Sequence, residues 1–174
     1  MIGCDQSAVF ERAIVWAMVR FAVFVTAIAA CGGSDVTSAV DAATSAACTE
    51  ATTYSNLANI EDKIFKASCV FSGCHNGAAS DAGRLNLKTG MAHATLVDVA
   101  SQVDTKFKMV VPGEPAKSYL LVMLGEVAPQ DANPATDAPP SAIGLMPQGT
   151  GGALLCPEKR AAIERWIVGG ALDD

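Results

Sequence analysis

Histidine, charge and long apolar runs are all scarce in this chain, and each scarcity narrows what it can be. Only two histidines, His75 and His93, occur in 174 residues. No Ser/His/Asp set is recognisable around them, and no Gly-rich phosphate loop follows a strand pattern, so no catalytic residue is assigned and an enzyme is not expected. Charged residues make up 17% against 51% hydrophobic, a balance that excludes extended disorder outside local stretches. The 12 basic side chains contain no Lys/Arg run and face 18 acidic ones, for a net charge of -6. That excludes a nucleic-acid partner held by phosphate neutralisation. No internal repeat is visible, and no alternating apolar stretch is long enough for a sheet. The longest uncharged apolar run near the start, Phe21 to Ala30, has ten residues, whereas a membrane-spanning helix needs ~20.

That run reads instead as the core of an export signal, with Arg12 and Arg20 on its basic side. Its end, Ile28-Ala29-Ala30-Cys31, resembles the lipobox of bacterial lipoproteins, in which the cysteine is lipidated and becomes the new N-terminus. An uncleaved signal anchor is the other reading of the same residues. Met18 opens the string MVRFAVFVTAIAAC, so translation starts at Met1 or at Met18. The resemblance implies a signal peptide over residues 1–30, lipid on Cys31, and a location in the cell envelope, on the periplasmic face of the outer membrane or at the cell surface. Cys4 leaves with the signal. The four cysteines beyond Cys31 are Cys48, Cys69, Cys74 and Cys156, an even number suited to pairing or cofactor attachment in an oxidising compartment.

Residues 31–54 are rich in Ala, Ser, Thr, Gly and Asp with no helical or strand period, which predicts a flexible tether. Residues 55–174 form the expected domain. Leu57, Ile60, Ile64 and Ala67 lie at spacings of three and four, the stripe of an amphipathic helix ending near Cys69. Pro115 suits the first position of a second helix, whose buried face is Tyr119, Leu120, Met123 and Leu124. A third opens at Pro157, carries Ala162, Ile163, Trp166 and Ile167 on one face, and stops at Gly169-Gly170. Between the last two, the prolines of Gly125 to Gly152 forbid a long helix and predict an extended loop wrapped over the rest. The fold class is all-α, small and loop-rich.

The chemistry is concentrated in Cys69-Val70-Phe71-Ser72-Gly73-Cys74-His75. Two thiols followed at once by an imidazole are the groups that hold a covalent haem: the thiols add to its vinyls and the imidazole binds the iron. The spacing is C-x4-C-H, two residues wider between the thiols than the usual C-x-x-C-H. The same residues also admit a small-loop disulfide between Cys69 and Cys74, or a zinc site built from Cys69, Cys74, His75 and Cys156. Met146, in Leu145-Met146-Pro147, offers a thioether as a second iron ligand but equally reads as a packing methionine. His93 reads as a surface or partly buried histidine, with bis-histidine ligation as the lesser alternative.

In the order helix, Cys/Cys-His, central helix, Met-Pro loop and aromatic-bearing last helix, the chain resembles class I monohaem cytochromes c, especially cytochrome c-like domains of predicted bacterial lipoproteins. Ser72 to Gly77, Gly83 to Leu87, Val110 to Leu121, Leu145 to Pro147 and Glu164 to Ala171 carry the resemblance. It implies covalent haem c on Cys69 and Cys74, with His75 as proximal and Met146 as distal iron ligand. It also implies that Pro112 lies in the loop near the proximal imidazole and that Trp166 belongs to the crossing of first and last helices. With two thiols on haem, Cys48 and Cys156 remain as an expected disulfide. The function implied is single-electron transfer between envelope redox-partner proteins by a lipid-anchored monomer. A six-coordinate iron would block substrate access, whereas a five-coordinate one with an open distal face would make the protein a haem sensor or peroxidase, which stays open as a third reading. The alternative is a disulfide-stapled lipoprotein without cofactor, a structural or binding module on the same fold.

Overall fold

The computed structural model describes residues 45–71, 74–78 and 82–174. The signal peptide, Cys31 and the tether up to residue 44 lie outside the described residues. What is described is helix-rich and loop-rich. Its only extended pairing among the described residues is a set of isolated bridges, Val97 with Val110, Ala100 with Lys108 and Lys108 with Ser118.

Helix α1 spans Ala46–Ala51, with the Ser45 hydroxyl accepting from the Cys48 amide at 3.2 Å, as an N-cap should. It lies in the stretch expected to be a flexible tether, so the folded region begins about ten residues earlier than residue 55. Composition hides this helix because it is too short to show a period. Its order comes from elsewhere. Cys48 is joined to Cys156, and Arg165 donates to the carbonyls of Ala51 at 2.7 Å and Tyr54 at 2.9 and 3.1 Å, covering the open C-terminal end of α1.

Helix α2 covers residues 57–68. Asn56 caps it, accepting from the Asn59 amide at 2.9 Å, and Glu61–Phe65 within it form one wide π turn. Leu57, Ile60 and Ile64 are buried as the apolar stripe predicts, but Ala67 is exposed and Phe65 is buried in its stead, because the π turn shifts the face of the helix after Ile64. Glu61 is buried among them, and its carboxylate accepts from the amides of Gly90 at 2.7 Å and Ala92 at 3.0 Å. It thereby holds the start of α3, Ala92–Leu96. A 3-10 turn over Pro115–Lys117 leads into α4, Tyr119–Met123, all five residues of which are buried. The long α5, Pro157–Val168, begins with proline in its first turn and gives way to Gly169.

The main core gathers Leu57, Ile60 and Ile64 of α2, Leu120 and Leu121 of α4, and Ile163, Trp166 and Ile167 of α5. A smaller cluster holds Phe107, Tyr119, Val122, Met123 and Ala132, with the Phe107 and Tyr119 rings 5.4 Å apart. The proline-rich loop from Gly125 lies over α4. It is pinned where Asn133 donates to the Ala116 carbonyl at 2.8 Å, Thr136 to the Asp104 carboxylate at 2.8 Å, and the Met146 amide to the Met123 carbonyl at 2.8 Å. The loop at Pro112 is tied to the end of α5, where the Gly113 amide donates to the Ile167 carbonyl at 2.7 Å.

Candidate functional site

Cys69 follows directly on the last residue of α2, its amide bonded to the Phe65 carbonyl at 2.7 Å. The chain then turns back on itself. The His75 amide donates to the Cys69 carbonyl at 3.2 Å, and the Leu87 amide donates to the His75 carbonyl at 2.9 Å. These bonds hold the histidine backbone against the end of α2 on one side and against the buried Leu87 on the other. Gly77 completes the turn with φ of 78°, and a Cβ there would stand 2.8 Å from the Asn86 amide nitrogen. Only glycine suits both the conformation and the space.

The His75 ring is oriented from the next segment. Its Nδ1 lies 2.8 Å from the Ala82 carbonyl oxygen, in the 3-10 turn Ala82–Arg84. A carbonyl can only accept, so Nδ1 carries the proton. In the neutral imidazole the lone pair is then on Nε2, the nitrogen that can bind a metal. A backbone carbonyl fixing the tautomer and angle of an imidazole is the arrangement that metal-ligating histidines use.

Cys69 and Cys74 are both unpaired and half-buried, so the small-loop disulfide is not formed here. Burial pushes the Cys69 thiol up to about 12, with the nearby Cys74 adding to the rise and Lys159 opposing it. Thiolate is the reactive form. Cys69 is therefore held as a thiol at neutral pH and is slow to oxidise against its neighbour. Because its folded pKa is raised, its protonated state favours the fold in full below the ordinary thiol range, and that contribution is lost progressively as pH rises from that range toward about 12. In protein prepared without cofactor, iodoacetamide at pH 8 should label Cys69 at least about 100-fold more slowly than an exposed cysteine, read by peptide mass spectrometry. Labelling at the rate of an unfolded peptide would contradict this burial.

Met146 is partly buried and packs against both hydrophobic clusters. Cys69 and Val70 pack against the larger of the two. Met146 and the Cys69-Val70 end of the segment thus border one core, from different stretches of sequence. Met123, expected in the interior, is buried. His93 is engaged elsewhere: its Nε2 donates to the Ala171 carbonyl at 3.1 Å, tying α3 to the C-terminus, and this is no bis-histidine arrangement.

The zinc set is broken for a plain reason. Cys156 is spent on Cys48 in the disulfide, leaving Cys69, Cys74 and His75 without it. The ligand atoms of Cys48, Cys156 and Glu158 lie within 4.8 Å of one another, but both sulfurs belong to that same bond. Among the described residues, the donor set left for chemistry is two thiols, one oriented imidazole and one thioether. Thiols, imidazole and thioether are soft and borderline ligands.

Three contributors escaped the reading of sequence. The Ala82 carbonyl carries no residue-type signal at all. Glu61 had one, a carboxylate four residues after Leu57 on the buried stripe of α2. Arg160, on α5, donates to the Gly125 carbonyl at 2.6 Å and stands 3.4 Å from the Glu126 carboxylate. Burial pushes the Glu126 carboxyl up, against the pull of Arg160 and with some help from Glu164. No protein-family model matches the chain, and neither the curated proteins nor the solved structures contain a match.

Proposed function

We propose that this protein is a membrane-tethered monohaem c-type cytochrome domain, with a cytochrome c-like fold, that carries single electrons between redox partners of the cell envelope. The observation that carries the reading is the His75 imidazole, held through Nδ1 by the Ala82 carbonyl at 2.8 Å directly after two unpaired cysteines. Support also comes from Met146 at the border of the core that Cys69 adjoins, and from the contact of α2 with α5, whose Trp166 belongs to the same core.

In this reading Cys69 and Cys74 hold the haem through thioethers, and His75 and Met146 ligate its iron. Bound there, the iron supplies one-electron oxidation and reduction. The protein's own part is to keep the imidazole and thioether where they are in both oxidation states and to keep water from the site. The Ala82 carbonyl does this for His75, and the bond from the Met146 amide to Met123 does it for the loop. Lipid on Cys31 provides the anchor, at the periplasmic face of the outer membrane or at the cell surface, with residues 32–44 as tether.

The test is to export the full chain from a host with haem-maturation machinery and record its intact mass and absorption. The expected product is red, with a sharp reduced band, and heavier than the mature chain by one haem plus lipid. A colourless product of lipidated apo mass would overturn the redox reading and leave a disulfide-stapled binding module.

A further inference from the structure

Met146 is held through a turn that it does not itself build. Its amide donates to the Met123 carbonyl at 2.8 Å, at the last residue of α4. Two residues later the chain reverses at Gly125, which adopts φ of 69°. The Leu145 side chain lies on this turn: a Cβ on Gly125 would be 3.5 Å from Leu145 Cδ1, 3.0 Å from Leu154 Cδ1 and 3.8 Å from Arg160 Nη1. Leu145, Leu154 and Arg160 therefore converge on one glycine. Arg160 reaches it from α5, donating to the Gly125 carbonyl at 2.6 Å while standing 3.4 Å from Glu126. Both charged side chains are largely withdrawn from water, at 17% and 19% exposure, which strengthens a charge-assisted bond relative to a surface pair.

We infer that Arg160 is a positioning residue for Met146, clamping the Gly125 turn so that the Leu145-Met146 segment stays seated against the end of α4. The inference rests on the reading of Met146 as an iron ligand for its functional consequence, but the clamp itself is a property of the chain. Its logic is mechanical. Without the guanidinium, the Gly125 carbonyl loses its partner from α5, and the turn on which Leu145 rests is free to shift. The Met146 thioether, on the next residue of the chain, moves with it. The rest of α5 keeps its buried face, Ala162, Ile163, Trp166 and Ile167, so the core does not depend on this contact.

The experiment compares wild type, Arg160→Met and Arg160→Lys in the full exported chain, prepared with and without haem. In the haem-free protein, hydrogen exchange is followed on peptides covering Leu145-Met146 and, as reference, Ile64 in α2. Arg160→Met should speed exchange at Met146 by about 10-fold or more, the size expected for loss of one charge-assisted bond, with Ile64 unchanged. Arg160→Lys, which keeps a charged donor, should fall between the two. In the red protein, the weak far-red absorption of thioether-bound ferric iron should diminish in Arg160→Met and recover partly in Arg160→Lys. Exchange at Met146 that stays at the wild-type rate, or that rises only in step with Ile64, overturns the clamp. If the protein never carries haem, the exchange result still decides the clamp while the cytochrome reading fails separately.

Discussion

Replacing Cys48 and Cys156 together by alanine should lower the unfolding free energy by about 4 to 5 kcal/mol in the chain-entropy treatment of a cross-link. The two residues are 108 positions apart, so the bond closes nearly the whole folded region and removes a large share of the unfolded chain's freedom. Both are buried, and alanine is chosen because serine would add an unpaired hydroxyl to an apolar site. The loss should fall first on α1, which is otherwise held by Arg165. Urea unfolding followed by circular dichroism measures it. A drop below about 1 kcal/mol would mean that the unfolded chain is already confined in other ways.

His75→Ala should abolish the sharp reduced absorption band of the exported protein altogether. Its cost to stability in the haem-free protein should be only about 1 kcal/mol, that of one half-buried hydrogen bond. The two effects separate because the backbone bonds of residue 75, to the Cys69 carbonyl and from the Leu87 amide, do not involve the side chain. What alanine removes is the bond to the Ala82 carbonyl and the Nε2 lone pair. Iron ligation depends on the second entirely. A red protein with an unchanged reduced band after this substitution would remove His75 from the site, whatever holds the colour. A cofactor-free module would show the small stability change and nothing else.

Sequence alone determined the parts of this protein that depend on local periodicity. The stripe Leu57, Ile60, Ile64 dictates which face of α2 is buried, and Pro157 with Ala162, Ile163, Trp166 and Ile167 does the same for α5, because residues three and four apart share a helix face. The prolines between Gly125 and Gly152 likewise settle that this stretch is loop, since each removes an amide donor. The adjacency of Cys74 and His75 puts the chemistry at one point of the chain without any knowledge of the fold. Tertiary structure decided everything that joins residues far apart. It ordered α1 out of an aperiodic Ala/Ser/Thr stretch, through a disulfide and Arg165. It chose the Ala82 carbonyl as the group that orients His75, and sent His93 to the C-terminus. It brought Arg160 to the turn that seats Met146. Backbone carbonyls and single hydrogen bonds across the fold have no spacing rule, so their partners exist only once the core has closed.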